Sequence, residues 1–143
     1  MGSPKNVFVV CSSNKDRSPA LAEYLVSVFP KHKYRSAGIN EYFCKKNGTH
    51  LLNEFDIAWS DLIVFCEDVH FNVVHRKFSG KVVDSSVFSP MGTVEYGNEL
   101  GKKQYIVLNC GRYEKGCIGE DYITRAHVML ERVLLFDGEK GKV

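Results

Sequence analysis

Two uninterrupted apolar runs, Val7–Val10 and Leu62–Cys66, constrain the fold of this chain more than any other feature. Neither run alternates with polar residues, so both read as strands covered on two faces, the situation of a parallel sheet. A helical pattern follows each. Leu21, Leu25 and Val28 recur on one face of a helix from Ser18 to Phe29, which Pro30 stops. Val69, Val73 and Val74 are expected to point inward from a helix over Glu67–Phe78, stopped by Ser79-Gly80.

The intervening chain fits the same plan. Tyr34–Gly38 reads as a short strand after a basic connector, Lys31–Lys33, and Glu41–Asn47 reads as helical. Asn47-Gly48 is a turn signal, and Thr49 is expected to cap a helix carrying Leu51, Leu52, Phe55 and Trp59. The expected fold is therefore α/β, three-layered and doubly wound, with a mainly parallel four-stranded sheet in the order 2-1-3-4. Beyond Gly80, Lys81–Phe88 and Gln104–Asn109 are both candidates for the fourth strand. The turn-rich stretch 89–103 between them reads as an insertion, a long loop or a hairpin adding a strand within 81–109. Glu120 or Asp121 opens a last helix with Ile123, Ala126, Leu130, Val133 and Leu134 inward; Asp137-Gly138 ends it, before a frayed tail.

At 143 residues the length suits a single domain over 1–143. A net charge of +2 does not argue for a nucleic-acid or membrane partner. No apolar stretch has the length of a spanning helix, and no signal-peptide pattern precedes Val7. Five cysteines, an odd number without a secretory signal, read as reduced thiols in a cytoplasmic setting.

Cys11 ends the first strand, and Arg17-Ser18-Pro19 opens the helix that follows. Ser18 suits the N-cap and Pro19 the first helical position. The first turn of a helix presents N–H groups with no internal partner, so an anion is welcome there. A cysteine held in that field ionises easily, and the thiolate is the nucleophile. Arg17 offers a planar fork for two phosphate oxygens, Ser18 a hydroxyl for the thiolate, and Asn14 a residue that tolerates a left-handed backbone. The expected chemistry is attack of Cys11 on a tetrahedral oxyanion, giving a thiophosphate.

Cys11 to Ser18 resembles the signature loop of the low-molecular-weight protein tyrosine phosphatases: Cys, five residues, then Arg-Ser. Asn14, Ser18-Pro19, Ser36-Ala37-Gly38 and Trp59–Phe65 also match that family's pattern, over the first half of the chain better than the second. Cys11–Asn14 and Phe65-Cys66-Glu67 are similar as well to the phosphatases of the RNA polymerase II C-terminal domain. Thioredoxin-coupled arsenate reductases share the loop. The resemblance implies hydrolysis of phosphate monoesters, of phosphotyrosine type on a protein or on a small molecule, with no cofactor and no metal. It assigns Cys11 as nucleophile, Arg17 and the backbone of Ser12, Ser13, Asn14, Lys15 and Asp16 as the phosphate cradle, and Ser18 as the thiolate's partner.

The family's acid, commonly in an Asp-Pro pair before the last helix, has no counterpart: the matching position holds Asn109, Cys110 or Gly111. Asp121 is the best remaining candidate for protonating the leaving oxygen, and its competing reading is a helix-first-turn acid favoured by the dipole. Asp84 and Glu95 are outside candidates. Asp16, on the rim of a phosphate loop, reads as one half of an exposed pair with Lys15.

Other conspicuous residues read more plainly. Cys44, Cys66, Cys110 and Cys117 default to buried structural thiols, although Cys110 and Cys117 could form a redox pair. His70 and His75, five apart on one helix, are expected to be solvated, and so are Lys45-Lys46 and Lys102-Lys103. Tyr42 and Phe43, with Tyr96, could wall a phenolic phosphate. Two rival functions remain open: thiol-dependent arsenate reduction, and phosphate binding without catalysis by a module that kept the loop and lost the acid.

Overall fold

A computed structural model describes residues 4–12, 17–85, 91–97, 99–108, 120–131 and 133–134, without the side chains of 17–18, 85 and 120–125. The first half alternates strand and helix: β1 (Asn6–Cys11), α1 (Arg17–Val28), β2 (Lys33–Gly38), α2 (Glu41–Asn47), α3 (Glu54–Trp59), β3 (Leu62–Phe65) and α4 (Asp68–Lys77). Three strands follow in succession, β4 (Lys81–Ser85), β5 (Met91–Tyr96) and β6 (Gly101–Val107), and then α5 (Glu120–Glu131).

The strands form one six-stranded sheet in the order β2-β1-β3-β6-β5-β4. β2, β1, β3 and β6 run parallel, whereas β5 is antiparallel to both its neighbours. The expected order 2-1-3-4 is thus present as the parallel part, with β6 in fourth place. The stretch 81–109 adds two strands rather than one, because both Lys81–Ser85 and Met91–Tyr96 find ladder partners. A Cβ on Gly92 would stand 2.3 Å from the Asp84 carbonyl, so glycine is what lets β4 close on β5 there.

The two apolar runs lie where their lack of alternation requires. Val7, Phe8, Val9, Val10, Leu62, Ile63, Val64 and Phe65 are all fully buried. Val7, Val9, Cys11, Leu62, Val64 and Cys66 face one layer, with Leu21 and Leu25 of α1 and Ala126 and Leu130 of α5. Phe8, Val10, Ile63 and Phe65 face the other, with Ile57 of α3 and Val74 of α4. Removing Leu21 or Leu25 to alanine would cost about 2–5 kcal/mol and loosen the helix that follows Cys11.

Several expectations from the sequence are corrected. α1 takes in Arg17, one residue early, so Ser18 lies within its first turn and not at an N-cap. Val28 is 36% exposed, since Phe29, at the helix end, supplies that contact instead. Thr49 caps no helix: α3 starts five residues later, where Asn53 and Asp56 form a reciprocal capping box. In that shorter helix Phe55 turns outward and Ile57 inward. On α4 Val69 is exposed and His70 is buried in its place. His75 is not solvated either, because Phe71 lies 4.0 Å from it, ring to ring. Lys103 is half-buried, donating from Nζ to the carbonyls of Ala58 and Ser60 at 3.1 and 2.7 Å. Among the described residues no helix is long and apolar enough to cross a membrane.

Candidate active site

β1, β3 and β6 are parallel, so their carboxyl ends share one edge of the sheet, and Cys11 ends β1 on that edge. Ligands of doubly wound sheets bind there. Cys11 is 2% exposed and shares its face with Leu21 and Leu25, so its thiol points toward the α1 layer. Its carbonyl accepts from Ile39 N–H at 3.0 Å, and the next carbonyl, of Ser12, accepts from Asn40 N–H at 2.9 Å. These bonds pin the segment between β2 and α2 against the end of β1. Tyr42 and Phe43 of α2 are exposed and stack edge to face at 5.3 Å. They stand on the helix that opens at Asn40, whose side chain caps it.

Ser12 alternates to the other side of the sheet, as strand geometry requires. Its hydroxyl lies 3.0 Å from Nε2 of His70, a fully buried residue in the first turn of α4. Nδ1 of the same ring accepts from the Glu67 backbone N–H at 3.1 Å. The Glu67 carboxylate is 3.9 Å from Nε2 and partly exposed. The sequence offered one signal for this arrangement: His70 stands on the helix that follows the strand beside β1. Its i+5 spacing to His75 pointed elsewhere.

Ser13, Asn14, Lys15 and Asp16 lie outside the described residues, and so do the side chains of Arg17 and Ser18. The backbone of α1 starts at Arg17, directly after that stretch. Cys110 and Cys117 also lie outside the described residues. Cys44 and Cys66 are buried, as expected.

The three candidate acids are separated by the topology. Asp84 pairs with Thr93, Thr93 with Gln104, Gln104 with Leu62 and Leu62 with Val7. It is therefore four strands from β1 and level with its start, on the order of 20 Å from Cys11. Glu95 pairs with Lys102, still nearer the opposite edge. Asp121 is placed differently. His127 of α5 contacts Tyr24 of α1, and the Leu134 carbonyl accepts from His32, just before β2. α5 thus runs from the Cys11 edge to the far edge, and its first turn, which holds the Asp121 backbone, lies at the Cys11 edge.

No family model matches the chain, and no curated protein sequence matches it. Solved structures do. The YwlE arginine phosphatase from Geobacillus stearothermophilus is 17% identical, with a TM-score of 0.55 over 97% of this chain and 95% of that one. Vibrio vulnificus Wzb, determined in complex with benzylphosphonate, is 16% identical, with a TM-score of 0.55 over 96% of this chain and 99% of its own. The tyrosine phosphatase Wzb from Escherichia coli K30, determined with sulphate, is 18% identical, with a TM-score of 0.51 over 95% and 97%. The chain shares the fold of these three structures over nearly its whole length.

Proposed function

We propose that this chain is a cysteine-dependent phosphatase that hydrolyses phosphate monoesters, of phosphotyrosine type, through a thiophosphate on Cys11. The observation that carries the reading is the position of Cys11: it ends a central parallel strand, and after five intervening residues the chain enters α1 at Arg17, within a fold shared with phosphatases. In this reading the backbone of residues 12–17 and the Arg17 guanidinium hold three phosphate oxygens. The Cys11 sulfur attacks phosphorus, and the S–P bond forms as the bond to the ester oxygen breaks. Asp121 gives that oxygen its proton, and water then attacks phosphorus, returning the thiolate and inorganic phosphate. Ser18 stabilises the thiolate. The reaction takes no cofactor, and reduced thiols fit a cytoplasmic setting.

The test is turnover of p-nitrophenyl phosphate. The reading expects hydrolysis that Cys11→Ser abolishes and Arg17→Ala nearly abolishes. Turnover that survives Cys11→Ser removes it, and binding of vanadate without turnover selects the non-catalytic module instead.

One observation favours the rival reading of arsenate reduction. Cys66 follows β3 as Cys11 ends β1, and the two thiols share one face of the sheet. In that chemistry Cys11 binds arsenate with loss of water. Cys66 then attacks the Cys11 sulfur, the As–S electron pair passes to arsenic, and arsenite and a disulfide result. Thiol-dependent arsenite production that Cys66→Ser abolishes, with p-nitrophenyl phosphate turnover retained, selects this activity.

A further inference from the structure

The described part of the site contains a buried imidazole that the proposed reaction does not use. His70 is fully buried, and both its ring nitrogens are engaged. The Glu67 backbone N–H always donates, so Nδ1, which faces it at 3.1 Å, must accept and carries no proton. The single proton of the neutral ring is then on Nε2, 3.0 Å from Ser12 Oγ. A protonated ring would set two donors against each other at Nδ1. The direction of the Ser12 contact is thereby fixed: Nε2–H donates, and the serine oxygen accepts.

That direction has a consequence for the hydroxyl. One lone pair of Ser12 Oγ is occupied by His70, and its own proton is left to donate to another acceptor. Ser12 is the residue immediately after Cys11, and its carbonyl is tied down by Asn40. An incoming anion offers only acceptor oxygens, so the hydroxyl meets it with that proton.

We propose that His70 is a positioning residue that fixes Ser12 as a hydrogen-bond donor toward the anion bound next to Cys11. The inference rests on the reading of residues 11–18 as a phosphate site. It adds to that reading a side-chain donor at the loop's first position, set from a helix on the opposite face of the sheet. Glu67 dictates the tautomer through its backbone N–H, and its carboxylate, 3.9 Å from Nε2, favours the proton on that nitrogen.

The experiment is a double-mutant cycle on p-nitrophenyl phosphate turnover, with vanadate inhibition measured in parallel, using Ser12→Ala, His70→Met and the pair. Ser12→Ala and His70→Met should each lower kcat/KM by about tenfold, the size expected for one lost hydrogen bond to a charged group. The pair should be no worse than Ser12→Ala alone. His70→Gln, which keeps a donor at the Nε2 position, should recover most of the loss. A merely structural histidine gives a different pattern: its penalty multiplies that of Ser12→Ala, and His70→Gln does not rescue. Either result overturns the proposal, and so does a Ser12→Ala variant with wild-type kinetics. If His70→Met does not fold, His70→Gln and Ser12→Ala/His70→Gln carry the cycle, and a loss that His70→Gln imposes equally with and without Ser12 overturns it. A wild-type chain with neither turnover nor vanadate binding removes the phosphate-site reading itself, and the inference with it.

Discussion

Val10 and Phe65 are register partners, so the chain leaves β1 and β3 side by side, as Cys11 and Cys66. The Cys66 N–H bonds the Val10 carbonyl at 3.0 Å and carries the pairing one step past the strand. This is the point at which the sheet hands the chain to α4 on one side and to α1 on the other. His70, Glu67, Cys66, Ser12 and Cys11 gather there for that reason.

The same register sorts the candidate acids. Asp84→Asn and Glu95→Gln should leave hydrolysis unchanged, because both residues lie across the sheet and away from the Cys11 edge. Asp121→Asn should lower turnover of phenyl phosphate by about 10²–10⁴-fold. It should slow p-nitrophenyl phosphate less, since nitrophenolate leaves without protonation. Steady-state rates on the two esters check this. An unchanged ratio in Asp121→Asn would place the acid elsewhere.

Asp56 makes a separate prediction, about stability. It is 3% exposed, and it accepts from the Asn53 N–H at 3.1 Å and from His50 Nε2 at 2.8 Å, with Arg35 at 3.7 Å. Asp56→Ala removes the return half of the α3 capping box, leaving the Asn53 N–H without its acceptor, and takes a buried carboxylate away from His50 and Arg35. The expected cost is about 2–3 kcal/mol. Urea denaturation of the variant against wild type measures it.

His75 makes the fold sensitive to acid. Neither ring nitrogen has a hydrogen-bond partner among the described residues. Burial pushes this imidazole below its ordinary value, and the Phe71 carbonyl opposes that only weakly, being outside bonding geometry. The folded chain thus takes a proton less readily than the unfolded chain. The resulting stabilisation is complete above the unfolded value, about 6.5, and is lost as pH falls below it. His75→Phe keeps the stack on Phe71 and removes both orphaned nitrogens. The variant should be at least as stable as wild type near neutrality. It should also lose less stability between about pH 7.5 and 5.5. Denaturation midpoints at the two pH values decide it, and parallel losses would contradict the assignment.

The parallel half of the fold was legible in the sequence because Val7–Val10 and Leu62–Cys66 carry a signal that survives without context. The pairing of β4 with β5 was not. Gly92 and the short edge strand Lys81–Ser85 acquire meaning only from contacts between distant residues. The place of Cys11, at the carboxyl end of the first strand and just before the first helix, could also be read from the sequence. His70 could not, because a histidine one turn into a helix looks solvated until the strand before it places that turn against Ser12. Phe55 turned outward for a related reason: α3 begins at Glu54, capped by Asn53, and is too short to carry the face from Leu51 to Trp59 that a start at Thr49 had suggested.

The account rests on Cys11 being a nucleophile that faces a site for a tetraoxy anion, although its side chain is 2% exposed. Alkylation by iodoacetate at neutral pH, resolved by peptide mapping and repeated with inorganic phosphate, tests this most directly. Cys11 should react faster than the buried thiols of Cys44 and Cys66, and phosphate should suppress its reaction alone. Modification of Cys11 no faster than of those two, at a rate that phosphate does not change, would contradict the account.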